Sequence, residues 1–174
     1  MKRIIASFAA MAAAAVLAPT AANADTYTPA NSLVVFSGTL DVSQSIVSTS
    51  CASTFAVSID PTGDYAGVVA ATFTGTSLCD GLVPSNFIWP IAVTAPAPSG
   101  ATATDLLIGN IYIKTSAGYC NGNLAGKWLP ANNGAIKFND APLNGKIKVG
   151  LIEVTANCKV DGTLTANVPV TAVS

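Results

Sequence analysis

Through most of residues 33–173, apolar side chains recur at every second position, and clusters of Gly, Pro, Asn and Asp break the alternation into short runs. Period two sends successive side chains to opposite faces of a strand, so each run predicts a strand with one buried and one solvated face. In Ser53 to Ile59 the residues Phe55, Val57 and Ile59 share a face against Thr54, Ala56 and Ser58. In Tyr65 to Phe73 the expected inner set is Tyr65, Val69, Ala71 and Phe73. The same pattern covers Leu33 to Leu40, Phe87 to Val93, Leu106 to Ile113, Gly134 to Phe138, Lys146 to Val154 and Thr163 to Val173. Turn chemistry separates them at residues 60–64, 95–100, 130–134 and 144–145. The expectation is an all-β chain of about eight or nine short strands, forming an antiparallel β-sandwich or an open barrel. No helix is expected after residue 24.

Two strands carry irregularities. Between Lys146 and Val154 the apolar phase slips, and a bulge at Gly150-Leu151 would restore Ile147, Val149, Ile152 and Val154 to one face. In the last run Pro169 lacks the amide that a central strand donates, which predicts a sheet edge.

The first 24 residues read differently. Lys2 and Arg3 precede an apolar run from Ile4 to Ala18, and Ala22-Asn23-Ala24 has the small-x-small form of a signal-peptidase site. Residues 1–24 are therefore expected to be a cleaved secretory signal, leaving 25–174 as a single all-β domain large enough for its own core. No later apolar run approaches the roughly 20 residues of a membrane-spanning helix, so the expected location is secreted, in the medium or at the cell surface, with the periplasm as a further option.

The chain of 174 residues contains no histidine and only 10% charged residues. After residue 24 it holds six lysines, no arginine, eight aspartates and one glutamate. Such a chain cannot assemble a Ser-His-Asp or Cys-His centre, a His-ligated metal site or an arginine clamp on phosphate. Without basic clusters it lacks the footprint of a nucleic-acid binder. The expectation is no enzyme, no cofactor, no metal and no nucleic-acid partner.

Cys51, Cys79, Cys120 and Cys158 are an even set at wide spacings in an exported chain, which predicts disulfides rather than a zinc or haem site. Of the three connectivities, Cys51–Cys79 and Cys120–Cys158 each close a loop within one half of the chain and are expected. Asp60 and Asp64 flank a Pro-Thr-Gly turn. They are two of the ligands a calcium ion or a glycosidase would need, but the turn chemistry itself accounts for them. Asp105, Asp140 and Asp161 fall in no acid–base motif and read as surface carboxylates. Trp89 and Trp128 each stand beside a proline near a strand end, where an exposed ring could grip apolar material. They are the leading candidates for apolar contact, with Tyr112 and Tyr119 behind them, and core packing is the competing reading for both indoles.

Several segments resemble a known family. Thr49-Ser50-Cys51-Ala52-Ser53-Thr54-Phe55, Gly63-Asp64-Tyr65, Ala71 to Cys79 and the Trp89 segment are followed by Tyr119-Cys120-Asn121-Gly122, Gly126-Lys127-Trp128 and Ala156 to Leu164. In this order they resemble the PraB-like exported proteins described as activators of alkane oxidation. The resemblance spans most of the chain after residue 24. It implies an extracellular accessory protein that helps cells use alkanes or other hydrophobic substrates without oxidising them, acting at the cell surface or the oil–water interface. The alternative is an extracellular structural or adhesive subunit, of pilus or coat type, that self-associates through an open strand edge. A hydrolase built on aspartates alone is the third class and has no motif behind it.

Overall fold

The computed structural model describes residues 25–93 and 104–173, so the expected signal and the turn cluster at 95–100 lie outside the described residues. Along the chain the strands are β1 (Thr26–Thr28), β2 (Ser32–Gln44), β3 (Val47–Ile59), β4 (Ala66–Thr74), β5 (Val83–Ser85) and β6 (Trp89–Val93). The second half adds β7 (Asp105–Lys114), β8 (Gly118–Leu129), β9 (Ala135–Val149), β10 (Ile152–Thr155), β11 (Cys158–Ala166) and β12 (Thr171–Val173). One helical turn, α1 (Ser77–Asp80), follows β4, with the Thr76 hydroxyl capping it by accepting from the Cys79 amide. A four-residue helix is too short to leave a 3.6-residue period, which is why the alternation gave no sign of it.

The ladder runs β9-β11-β2-β3-β4-β6-β7, every pair antiparallel, and β8 pairs with both β7 and β9. Eight strands thus close on themselves. The all-β antiparallel architecture is the expected one, and of its two forms it is the barrel that is built, with its edges paired. Closure removes the unpaired backbone groups that an open sheet would expose. β5 continues along the edge of β7 beyond β6, and β10 continues along the edge of β9 beyond β11. β1 and β12 form a separate two-stranded sheet.

The inner faces make one core. Phe36, Leu40, Phe55, Ile108, Leu124, Ile136, Phe138 and Leu164 are buried, while Ser37, Thr39 and Asp41 alternate with them outward on β2. This apolar-in, polar-out order is the reverse of a lipid-facing barrel. Both expected disulfides are present. Cys51–Cys79 joins β3 to α1 with Cα atoms 5.5 Å apart, and Cys120–Cys158 joins β8 to β11 at 6.0 Å. The second passes behind β9, which lies between those strands.

Three expectations about strand phase are corrected. A register shift opposite Ala56 and Val57 lets β4 turn Val68 inward, so Tyr65 is exposed and Val69 only half-buried, while Ala71 and Phe73 stay in the core. The slip at Gly150-Leu151 is a hairpin rather than a bulge. Val149 pairs with Ile152 and Ile147 with Val154 across a two-residue turn in which Gly150 has φ +65°. Pro169 marks no edge of the barrel, because β11 ends at Ala166, central between β2 and β9, and the proline falls in the link to β12.

Candidate functional site

Trp89 and Trp128 are not surface contacts. Trp89 is fully buried and Trp128 nearly so. The inward phase of β6 and β8 carries both rings into the barrel, where Phe55 meets Trp89 edge-on at 6.2 Å and Phe36 meets Trp128 at 6.1 Å. Trp89 Nε1 donates to the Ser85 carbonyl at 2.9 Å, so its polar edge has no need of solvent. Trp128 Nε1 finds no acceptor among the described residues. Tyr112 and Tyr119 stack on each other with centroids 5.5 Å apart and remain half-buried on the outer wall of β7 and β8. The aspartates serve local structure. Asp60 accepts from the Thr62 hydroxyl at 2.7 Å and the Tyr65 amide at 3.1 Å, and these bonds, the Thr62 one foremost, hold its carboxyl below the usual range. Asp105 pairs with Lys127. Asp41, Asp140 and Asp161 border a shallow polar depression, and no cluster of three metal-ligating side chains occurs among the described residues.

Exposed apolar side chains gather at one end of the barrel, while others, Leu33, Val83 and Ile88 among them, are exposed elsewhere. Two turns meet at that end, Ser45-Ile46 between β2 and β3 and residues 115–117 between β7 and β8, and the base of the β9–β10 hairpin, whose turn is Gly150-Leu151, adjoins the second. Ile46 is 97% exposed, with Val47 and Leu78 exposed beside it at the cleft, and on the β9–β10 hairpin Leu151 is fully exposed and Val149, Ile152 and Val154 are exposed as well. Solvated aliphatic side chains on turns are unusual, since turns normally take polar residues. Between the turns opens a cleft of about 270 Å³. Its walls are Val42, Ile46, Val47, Thr49, Leu78, Leu82 and Ile147, and the turn residues Ser45, Thr115, Ser116 and Ala117 form its rim.

Several contacts hold this end in shape. The Gln44 amide nitrogen donates to the Tyr119 and Lys146 carbonyls, both at 3.1 Å, and its oxygen accepts from the Thr115 hydroxyl at 2.9 Å. One side chain therefore ties β2 to β8, β9 and the β7–β8 turn. The Lys148 amide donates to the Ala117 carbonyl at 2.8 Å, anchoring the base of the β9–β10 hairpin. The Cys51–Cys79 bridge fixes α1, and with it Leu78 and Leu82, against β3. The cleft lining has no titratable side chain, its one cysteine, Cys120, being in a disulfide. It offers apolar contact and hydroxyl groups, and neither a nucleophile nor a general acid or base.

This end was missed in the sequence, although a signal was there. Ile46 and Leu151 sit where a turn residue belongs, directly after Ser45 and Gly150, and an apolar side chain in that position has no local reason.

The sequence model for alkane oxidation protein activators of the PraA/PraB-like type matches residues 1–174, the whole chain. The chain belongs to that family. No curated protein matches it, and no solved structure does. An apolar crown around an uncharged cleft is thus the most distinctive surface of this PraA/PraB-like barrel.

Proposed function

We propose that the protein is an exported, non-enzymatic accessory factor that promotes alkane use by adsorbing, through the crown of its barrel, to hydrocarbon at the cell surface or the oil–water interface. The observation that carries this reading is the uncharged apolar cleft with Ile46 solvated at its edge, together with the exposed aliphatic side chains of the adjoining β9–β10 hairpin, Leu151 foremost. The family supports the substrate class. The leader-like residues 1–24 and the two disulfides support export to an oxidising compartment. Burial of apolar area contributes roughly 25 cal/mol per Å², so a patch of a few hundred Å² supplies several kcal/mol before the costs of association. That suffices for reversible adsorption.

The test is partition of the purified protein to a hexadecane–water interface. The double variant Ile46→Ser/Leu151→Ser should lose most of the adsorption while its melting temperature stays within a few degrees, because both side chains are solvated. Adsorption equal to wild type would remove the crown as the contact surface. A second reading rests on β10, whose four residues are all exposed and which pairs only with β9 among the described residues. That edge is open to strand addition by another chain, as in a coat or adhesive subunit. Filaments in electron micrographs of the purified protein would favour it.

A further inference from the structure

Resting on that reading of the site, we propose that the cleft at the crown takes one aliphatic chain, methyl end first, so that the protein binds single chains as well as bulk oil. A bulk hydrocarbon phase can touch the crown but cannot enter a space of about 270 Å³. That volume is nearly twice the ~150 Å³ of a dry apolar cavity known to take benzene. It accommodates the end of a chain and not a droplet.

The lining decides both the chemistry and the orientation. The walls are aliphatic apart from Thr49, with Val42, Ile46, Val47, Leu78, Leu82 and Ile147, and no charged residue faces the space. A charged headgroup inside would lose its hydration with nothing to replace it. Gln44 and Thr49 are the polar groups on the inner side; the Gln44 amide is engaged with Tyr119, Lys146 and Thr115 and the Thr49 hydroxyl with that of Thr76 at 2.9 Å, so neither is waiting for a ligand. The hydroxyls of Ser45 and Ser116 lie on exposed turns at the rim. An amphiphile is therefore held with its methyl end inward and its polar end among those hydroxyls and water. The wall bearing Leu78 and Leu82 is fixed by the Cys51–Cys79 bridge, so little ordering is needed on binding.

The experiment is calorimetric titration of the disulfide-bonded protein with primary alcohols from hexanol to dodecanol, each below its solubility limit. The expected result is one chain per protein, with affinity rising about fourfold per added methylene and then levelling once the cleft is filled. Adsorption to an open surface has no such plateau. Ala117→Trp, which places a ring from the exposed rim into the space, should weaken binding at least tenfold, and Ser116→Phe repeats the test from the neighbouring position. Affinity that climbs through the whole series, a stoichiometry well above one, or rim variants that bind like wild type would overturn the proposal. If alcohols do not bind while hexadecane adsorption persists, the single-chain site is wrong and the adsorption reading stands. If both are absent, both fall.

Discussion

The two indoles show how much a single polar atom decides. Both rings fill the barrel, so replacing either by alanine should cost about 3–5 kcal/mol and lower the melting temperature sharply. Replacement by phenylalanine separates them. Trp89→Phe removes the hydrogen bond to the Ser85 carbonyl, whereas Trp128→Phe removes an N–H that has no acceptor among the described residues. Urea denaturation should find Trp89→Phe the more destabilising by about 1 kcal/mol. Equal losses would mean that the Trp128 N–H is satisfied after all. Asp60 gives the pH-dependent counterpart. Its carboxyl is held below the ordinary range chiefly by the Thr62 hydroxyl, so the folded state binds fewer protons there than the unfolded chain. The stabilisation is present above the unfolded pKa of about 3.9 and is lost as pH falls through the lower folded value. An NMR titration should place the Asp60 midpoint below the ordinary value, and Thr62→Ala should move it back up.

Among the elements, β9 is constrained by a disulfide. The Cys120–Cys158 bridge crosses behind it, and Gly145 lies directly beneath the crossing. A Cβ there would come within 2.8 Å of Cys158 Sγ and would also strike the Ala156 carbonyl. Gly145→Ala should therefore destabilise the protein strongly, by the loss of the bridge or a shift of β9, and mass spectrometry under non-reducing conditions should find the Cys120–Cys158 peptide depleted. The other bridge acts on α1. Removing it with Cys51→Ala/Cys79→Ala should cost about 3–4 kcal/mol on chain-entropy grounds. The variant should also loosen the cleft wall, because Leu78 and Leu82 flank Cys79. A thermal melt lowered by only a degree or two would show that α1 is held mainly by the Thr76 cap and the contact of Thr49 with Thr76.

At the scale of the whole molecule, the closed ring explains why the distinctive surface is at an end. With every barrel strand paired on both sides and the inner faces packed, the apolar cleft opens at the end of the ring between the turns, while single exposed aliphatic side chains such as Leu33 and Val83 lie on the outer faces of strands. The cleft is uncharged, so on the proposed reading attraction to oil would be carried by apolar area and not by long-range charge. Adsorption to hexadecane should then be undiminished between low and high salt, as followed by interfacial tension. A marked weakening with salt would point to the surrounding lysines, such as Lys146 and Lys148, as the real contact.

The alternation of residues by itself determined the class of fold, since only strands put Phe55, Val57 and Ile59 on one side. The even cysteine count predicted disulfides and favoured pairing within each half, but the choice among three connectivities was decided by the structure. Period two does not say which neighbour a strand takes, so closure of the ring through β8 was decided by long-range pairing. Local phase is equally silent about a register shift, and one such shift turned Val68 inward and Tyr65 out. The indoles were misplaced for a related reason: a proline beside a strand end says nothing about which face the ring occupies, and the core of the barrel claims the largest side chains available. The crown depended on tertiary structure entirely. Ile46 and Ile147 are about a hundred residues apart, and they line one cleft only because β2 and β9 reach the same rim of a closed barrel.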